Sequence, residues 1–177
     1  MLKEFDEAFR RMADGLARGE ESAWTELYDH IGPALFQYAL ARLGRRADAE
    51  DVLQEVFARA SRIGERIHEV REPRTWFYGL VRNESNRHHG KRRPVGSLDE
   101  APEPIVETHT ERDRAIADEL SRLPPAQREV VTLRVWHRMT FAEIAELQGV
   151  PVDTASSRYR YGIQRLRSLM KEEEIGR

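Results

Sequence analysis

Cysteine is absent from the 177 residues of the chain, and this absence excludes disulfide bonds, thiolate metal ligands and a cysteine nucleophile. Long apolar runs are absent too, since no segment approaches the roughly 20 apolar residues that a membrane-spanning helix needs. The N-terminus, from Met1 to Asp6, is acidic and lacks the apolar stretch of a signal peptide. We therefore expect a cytoplasmic protein with no membrane insertion.

The chain also has little net charge. Its 29 basic and 31 acidic residues leave a formal net charge of -2. At first this balance argues against nucleic-acid binding, for which a basic total is typical. Lysine is scarce, so arginine supplies nearly all of the basic side chains. Arginine suits bidentate contacts to phosphates and bases, although a GC-rich genome explains its abundance at least as well.

Catalytic signatures are missing as well. The six histidines show no His-Glu-x-x-His spacing, and no set of glycines matches a phosphate loop or a dinucleotide fingerprint. Carboxylates cluster only where the sequence predicts a linker or the surface of a helix. We therefore expect neither an enzyme nor a site for a metal ion or another cofactor.

The apolar residues recur with helical spacing throughout, and no segment alternates with the period of two that a strand requires. A first stripe, after which Gly19 is a plausible stop, consists of Phe5, Phe9, Met12 and Leu16. A second stripe is interrupted at Gly32-Pro33 and resumes until Gly44. Asp48 is placed to cap the next helix, and Pro73 suits the first turn of another. The fold class is therefore predicted to be all-α.

The composition changes between Lys91 and Glu111, where proline, glycine and acidic residues accumulate. Such a segment buries too little apolar area to offset the entropy cost of ordering it. We expect two small helical domains, residues 1–93 and 111–177, joined by a flexible acidic linker over residues 94–110. A helix over about residues 110–123 should end at Pro124-Pro125, where the next helix begins.

A helix-turn-helix pattern follows in the second domain. Thr140 and Glu143 have the spacing of a capping box, and Gly149 allows a left-handed turn before Pro151 reopens a helix. The second helix presents short polar side chains and arginines, which suit base edges and phosphates in a major groove. A solvated basic face is the alternative interpretation. The candidate DNA-contacting residues are Asp153, Thr154, Ser156, Ser157, Arg158 and Arg160. We expect Trp136 and Tyr159 to lie in the core.

A second basic segment spans residues 71–93, which contain seven basic residues and only two acidic ones, Glu72 and Glu84. The aromatic residues 76–78 lie among them. Basic residues beside aromatic rings suit single-stranded nucleic acid. Trp76 and Phe77 also fit an apolar helix face, and for these two we expect the core.

The sequence resembles a known family at several motifs. Asp48-Ala-Glu-Asp-Val-Leu-Gln-Glu-Val-Phe57 is similar to the DAEDxxQEVF signature of sigma-70 region 2, and Trp76-Phe-Tyr-Gly-Leu-Val-Arg-Asn83 is similar to the segment that follows it. Leu123-Pro-Pro-Ala-Gln-Arg128 and the helix-turn-helix resemble region 4. With these two regions and a short linker, the chain resembles an extracytoplasmic-function (ECF, group IV) sigma factor of bacterial RNA polymerase.

This resemblance implies that the first domain binds core RNA polymerase at the β′ clamp helices, through a surface on or near Asp48, Glu50, Asp51, Gln54 and Glu55. It also implies that the first domain melts the promoter −10 element. The residues carried over for the captured base are Asn83, Asn86, Arg87 and His88, and those for phosphates are Arg82, Lys91, Arg92 and Arg93. For Asn83 a structural role, as a cap or a buried hydrogen-bonding group, remains an alternative.

The resemblance further implies that the second domain reads the −35 element and packs on the β flap through apolar residues around Val130 to Trp136. The linker would thread the RNA-exit path, and an anti-sigma factor would hold the free protein. The recognition helix departs from the family pattern, because Asp153 and Ser156 stand where glycine and lysine are common. Asp153 could accept a hydrogen bond from cytosine or cap the helix.

Two other interpretations remain open. A helix-turn-helix regulator that is not a polymerase subunit would explain residues 110–171, but it would leave the signature from Asp48 to Phe57 unexplained. A sigma-like protein that acts only as a partner scaffold would keep both regions without initiating transcription. Segregated charge removes the objection raised by the net charge of -2, because basic segments alternate with acidic ones.

Overall fold

The computed structural model describes residues 2–91 and 119–175, with side chains at 4–88 and 119–168. The described backbone is helical and contains no strand, which confirms the all-α class. The chain divides into two compact units, Met1–Glu103 and Pro104–Arg177. The predicted linker, residues 94–110, lies outside the described residues, so the predicted domain boundaries remain predictions.

The described part of the first unit, residues 2–91, contains four α-helices and one 3₁₀ helix. Helix α1 spans Leu2–Arg18, α2 spans Glu21–Leu43, α3 spans Arg46–Ser61 and α4 spans Pro73–Lys91, with the 3₁₀ helix at Gly64–Glu69 between α3 and α4. Gly19 and Gly44 follow α1 and α2 with φ angles of 73° and 72°. Glycine takes this left-handed conformation at little cost, so both positions end a helix.

The core of the first unit joins the predicted apolar stripes. Phe9 and Phe77 are each 2% exposed or less, and their rings meet edge to face with centroids 6.3 Å apart. Phe57 lies 5.7 Å from Phe77 on the side of α3. Each buried aromatic or aliphatic side chain of this kind contributes about 1.5–3 kcal/mol. Helix α4 therefore packs with its aromatic face inward, as its apolar spacing predicts.

Two sequence-based expectations in the first unit are wrong. Gly32-Pro33 does not interrupt α2, which continues through Pro33 to Leu43. Ile31 and Leu35 are buried on either side of it, and their packing outweighs the roughly 3 kcal/mol that proline costs inside a helix. Asp48 is not the N-cap of α3, because the helix begins at Arg46 and Asp48 lies buried in its first turn. A carboxylate there still interacts favourably with the helix dipole.

The second unit contains the expected helix-turn-helix. Residues 119–121 are helical, α5 spans Pro125–Val135, α6 spans Phe141–Gln148 and α7 spans Val152–Ile175. The rest of the helix predicted over residues 110–123 lies largely outside the described residues. At the start of α6 the Thr140 hydroxyl accepts from the Glu143 amide at 3.2 Å, and the Glu143 carboxylate accepts from the Thr140 amide at 2.6 Å. The predicted capping box is therefore confirmed, as is the left-handed Gly149, whose φ is 65°.

The apolar interior of the second unit lies between α5, α6 and α7. Leu120, Leu123 and Val131 pack with three side chains of α7: Tyr159, Ile163 and Leu166. Helices α5 and α7 approach so closely that a Cβ atom on Gly162 would lie 2.8 Å from Val131 Cγ2. The expectation that Tyr159 belongs to the core is confirmed.

Trp136 departs from the predicted core, and Val152 is exposed as well. Trp136 is 40% exposed, because it follows the last residue of α5 and the chain then turns His137 and Met139 inward instead. Val152 is 49% exposed because it is the first residue of α7 and precedes the part of the helix that packs. Apolar spacing alone does not distinguish the end of a helix from its packed middle.

Candidate nucleic-acid and partner interfaces

The last turns of α4 hold the side chains predicted for the −10 element. Asn83, Asn86 and Arg87 are exposed, whereas Arg82 and His88 are half-buried. The exposure of Asn83 removes the alternative of a buried structural asparagine. Arg92 and Arg93, together with the side chain of Lys91, lie outside the described part of the structure. The described residues therefore bring five of the eight predicted side chains onto neighbouring turns of one helix.

Residues from α2 and α3 hold these side chains in place. Arg42 donates from Nη2 to Asn86 Oδ1 at 2.7 Å. On the same helix, Glu84 Oε2 lies 3.2 Å from Arg87 Nη1. His88 Nε2 lies 3.9 Å from Asp48 Oδ1, so the buried aspartate lies beside the histidine, at a distance longer than a hydrogen bond. Asp48 therefore lies on the buried side of the predicted −10 surface.

Glu84 is the central group of this support. It is 5% exposed, and its Oε1 atom forms an ion pair with Arg59 Nη1 at 2.7 Å, although the angle there is poor for a hydrogen bond. A carboxylate taken from water needs such partners, because an unpaired buried charge is costly. The sequence offered one signal for it, the spacing of three residues between Glu84 and Arg87. Arg42 and Arg59 come from distant helices, so no local pattern indicated them.

The aromatic residues of α4 lie in the core rather than beside nucleic acid. Phe77 and Tyr78 are at most 1% exposed. Half-buried Trp76 packs edge to face on Phe77 with ring centroids 4.8 Å apart. Burial raises the pKa of Tyr78 to about 12, against a smaller opposing effect from the Arg74 guanidinium nearby. The core interpretation of Trp76 and Phe77 is thus preferable to base stacking.

An acidic face lies on α3. The exposed side chains are Glu50, Asp51, Gln54 and Glu55. Glu50 pairs with Arg46 at 2.9 Å, and Glu55 pairs with Arg59 at 3.3 Å. Asp48 does not join this face, since it is only 6% exposed. The exposed carboxylates form a surface that complements a basic partner.

A groove of about 550 Å³ adjoins this acidic face between α2 and α3. Its residues are Tyr28, Pro33, Phe36, Arg46, Glu50, Leu53, Gln54 and Phe57. Tyr28 is 46% exposed, with its ring 5.2 Å from that of Phe57. No pattern in the sequence revealed this groove. A tyrosine whose ring contacts apolar groups on one side and solvent on the other is typical of interfaces.

The N-terminal turns of α7 carry the side chains predicted for the −35 element. Asp153 and Arg160 are exposed, whereas Thr154, Ser156, Ser157 and Arg158 are half-buried. The Arg160 guanidinium lies 5.2 Å from the centre of the Tyr161 ring, which is 53% exposed. Arg158 donates from Nη1 to Gln148 Oε1 at 2.8 Å, and Gln148 donates from Nε2 to Glu129 Oε2 at 2.9 Å. No local sequence pattern indicated a role for Gln148 or Glu129.

An exposed apolar patch lies at the end of α5, where Val135 is 45% exposed and Trp136 is 40% exposed. The other apolar residues of the segment predicted to meet the β flap, Val130, Val131 and Leu133, are at most 1% exposed. Any partner on this side of the second unit therefore meets Val135 and Trp136. Large exposed apolar side chains that adjoin each other are typical of interaction surfaces.

Two further properties of the described residues concern the geometry of a metal site and of a membrane-spanning helix. Among them, no three His, Asp or Glu side chains converge as metal ligands would. None of the described helices combines the length and the apolar character needed to span a bilayer.

Known proteins resemble the chain over most of its length. Sigma-70 region 2 matches residues 27–94, and Sigma-70 region 4 matches residues 120–168. The ECF RNA polymerase sigma factor SigL of Mycobacterium tuberculosis is 33% identical over 172 residues, which cover 92% of this chain and 97% of SigL. The ECF RNA polymerase sigma factor SigW of Bacillus subtilis is 25% identical over 88% of this chain and 92% of SigW.

Two solved structures share the fold. CnrH in complex with the cytosolic domain of CnrY has a TM-score of 0.69 at 23% identity, covering 93% of this chain and 98% of CnrH. The sigma factor RpoE in complex with the anti-sigma factor NepR, from Bartonella quintana, has a TM-score of 0.67 at 20% identity, covering 83% of this chain and 96% of RpoE. Both regions occur in family order, and SigL exceeds 30% identity over nearly its whole length. The chain therefore belongs to the ECF sigma factors of bacterial RNA polymerase.

Proposed function

We propose that this sigma factor directs core RNA polymerase to promoters by reading the −10 element with its first unit and the −35 element with its second. The observation that carries the proposal is the presence of an exposed polar face on α4 in the unit matched by region 2 and of a recognition helix in the unit matched by region 4. The chain acts as a noncatalytic subunit in the cytoplasm. Domain boundaries at residues 93 and 111 remain part of this proposal.

At the −10 element, α4 captures an unpaired base. Extruding a base costs a few kcal/mol, which hydrogen bonds to its exposed edge offset. Asn83 and Asn86 carry amides that can both donate and accept, whereas Arg87 supplies charge for the backbone. The Arg42 contact leaves the Asn86 amide nitrogen available for the base. Arg82, Lys91, Arg92 and Arg93 complete the phosphate contacts of this proposal, and His88 adjoins them.

At the −35 element, the first turns of α7 enter the major groove. Ser156, Ser157 and Thr154 are short enough to allow close approach of the backbone, and Arg160 is long enough to reach guanine or phosphate. Asp153 stands at the second position of α7, where it can accept from a cytosine amino group. Its carboxylate repels phosphates, so it favours contact with a base edge.

Two surfaces bind the polymerase in this proposal. Glu50, Asp51, Gln54 and Glu55 meet the β′ clamp helices, and the apolar groove beside them accepts side chains of that partner. Asp48 is buried, so we assign it to the support of His88 rather than to direct contact. Val135 and Trp136 meet the β flap, because burial of two large exposed apolar side chains supplies a driving force for association.

An anti-sigma factor completes the set of proposed partners. The two solved relatives above are complexes, one with the cytosolic domain of CnrY and one with the anti-sigma factor NepR. A partner that covers the acidic face of α3 or the polar end of α4 would exclude polymerase or promoter DNA. The groove between α2 and α3 offers such a partner apolar contacts.

Run-off transcription tests the proposed function. Genomic fragments bound by the reconstituted holoenzyme would be selected and then used as templates with core polymerase alone or with the sigma factor. We expect defined transcripts only when both are present. A regulator that is not a polymerase subunit would instead bind a palindromic site as a dimer without core polymerase. Absence of promoter-dependent transcripts would reject the proposal.

A further inference from the structure

Three polar side chains form a hydrogen-bonded chain across the three helices of the second unit. Glu129 lies on α5, Gln148 is the last residue of α6, and Arg158 lies in the second turn of α7. The two contacts between them, 2.9 and 2.8 Å long, are within the normal range for hydrogen bonds. Gln148 is 9% exposed, so the middle of this relay is shielded from water.

The chemistry of the two end groups fixes the direction of the relay. An ionised carboxylate only accepts hydrogen bonds, and a guanidinium only donates them. A glutamine between them satisfies both with its nitrogen toward Glu129 and its oxygen toward Arg158, and the observed contacts have this arrangement. With the amide reversed, both contacts would join like groups. Glu129 therefore determines which atom Gln148 presents to the recognition helix.

We propose that Gln148 and Glu129 are positioning residues for −35 recognition, which act by holding the Arg158 guanidinium in one orientation on α7. The inference rests on the proposed function, since it concerns how the second unit reads DNA. One donor of Arg158 is committed to Gln148, and the other four remain for a base edge or a phosphate. Holding the side chain before binding removes part of the entropy cost of ordering a long arginine.

Arg160 provides an internal comparison on the same helix. It is exposed, and its guanidinium lies over the Tyr161 ring. The relay acts on Arg158 through contacts that do not include Arg160. Loss of Gln148 should therefore change what Arg158 contributes to recognition and leave the contribution of Arg160 intact.

A double-mutant cycle on the holoenzyme tests the inference. The readout is −35 discrimination, defined as the ratio of initiation rates on a selected promoter and on the same promoter with a scrambled −35 element. We expect Arg158→Ala to lower this ratio about tenfold, the size of a lost base contact, and Gln148→Ala to lower it roughly three- to fivefold. Combining them should give no more loss than Arg158→Ala alone. Additive losses would overturn the inference.

A rescue experiment exchanges the carboxylate of Glu129 with the amide of Gln148. In Gln148→Glu, the new carboxylate still accepts from Arg158 but faces the carboxylate of Glu129, so discrimination should fall. Adding Glu129→Gln restores a donor opposite the new carboxylate, and discrimination should return to within about twofold of the original. Failure of this rescue in a variant with unchanged thermal stability would contradict a positioning role.

Glu146→Gln is the control for charge alone. Glu146 is an exposed carboxylate of α6, and its neutralisation should raise binding to every template without changing discrimination. Glu129→Gln should instead lower discrimination. If Arg158→Ala leaves the ratio unchanged, the inference fails. The proposed function would then still be supported by a loss of discrimination in Arg160→Ala, and lack of any promoter-dependent initiation would reject the proposed function itself.

Discussion

Glu84 shows how a single buried charge can support a surface that faces outward. Its carboxylate joins Arg59 of α3 to Arg87 of α4, and it is one of only two acids in the basic segment of residues 71–93. Its negative charge lowers the net positive charge of that segment and so weakens the segment as a nucleic-acid site. Its position, however, lets it restrain Arg87, one of the arginines proposed to contact DNA. A buried ion pair of this kind is costly to break from one side.

We predict that Glu84→Gln destabilises the protein by about 1–3 kcal/mol, because Arg87 then loses this partner charge and Arg59 keeps only the more exposed Glu55. The value lies below that of a fully buried pair, since Arg59 and Arg87 are partly exposed. Urea unfolding at neutral pH measures it. Glu50→Gln is the matched control: its pair with Arg46 is exposed, and its loss should cost less than about 1 kcal/mol. Equal effects of the two substitutions would contradict the prediction.

Tyr78 makes a prediction about alkaline pH. Burial raises its pKa to about 12, above the ordinary value near 10. Because the folded chain holds the proton more tightly than the unfolded chain, this stability is complete below about pH 10 and is lost as the pH rises toward 12. Between pH 9 and 11 the protein should lose roughly 1 kcal/mol more than Tyr78→Phe, which cannot ionise. Parallel losses in urea unfolding would argue against this titration.

Individual residues also show where sequence reasoning stops. The acidic face of α3 was predicted by the family signature, and the structure exposes four of the five residues named. The fifth, Asp48, is buried and lies 3.9 Å from His88. Arg42, Arg59 and Gln148 escaped prediction because each acts across a distance in sequence that no periodic pattern encodes. Their roles depend on how helices pack, which is fixed by the whole core.

Among the elements, α6 is the shortest α-helix described, with eight residues, and it depends strongly on its ends. Helices of this length are unstable in isolation, since few hydrogen bonds offset the cost of nucleation. The capping box at Thr140 and Glu143 satisfies two amides at the start, and Gly149 ends the helix in a left-handed conformation. The turn that orients the recognition helix is thereby fixed at both sides.

We predict that Thr140→Ala destabilises the second unit by about 1 kcal/mol, because the Glu143 amide loses its acceptor. Unfolding of the full chain can be followed by tryptophan fluorescence. Trp136 reports on the second unit, and the other two tryptophans report on the first unit. Thr25→Ala is the control, since Thr25 is exposed inside α2, where alanine is the better helix former. A loss of stability as large in Thr25→Ala would contradict a capping effect.

Periodic spacing predicted the helices well and their boundaries less well. The stripe from Phe9 to Leu16 became a buried face of α1, and Gly19 ended that helix as expected. Pro33 misled, because local propensity counts proline as a break while packing on both sides keeps α2 continuous. Trp136 misled for the opposite reason, because it is an apolar residue at a helix end that the fold leaves exposed.

At the scale of the whole molecule, the net charge of -2 is the sum of acidic and basic surfaces that lie on different helices. In the proposed function, the acidic face of α3 binds a protein partner, whereas basic side chains on α4 and α7 contact DNA. Acidic surfaces oppose nonspecific attraction to phosphates. The free sigma factor should therefore bind DNA weakly, and polymerase binding, which covers the acidic face, should reduce that opposition.

We predict that replacing Asp51 and Gln54 together by alanine weakens binding to core polymerase about tenfold, since both side chains are exposed on the proposed contact face. Titration of fluorescently labelled sigma factor with core polymerase measures the affinity. Glu65→Ala is the control, because Glu65 is an exposed acid of the same unit outside that face. An unchanged affinity in the double variant would assign Asp51 and Gln54 to solvent.

Pro33 has a consequence for the motions of α2. Proline has no amide hydrogen, so the carbonyl of Asp29, four residues earlier, receives no bond from it, and the hydrogen-bonded ladder has a gap at the groove. Amide hydrogens on the two sides of that gap can exchange with solvent deuterium through separate local openings. A protein seated in the groove would bridge both halves and slow their exchange together. Amide hydrogen exchange along α2 should therefore report whether a protein is bound in the groove.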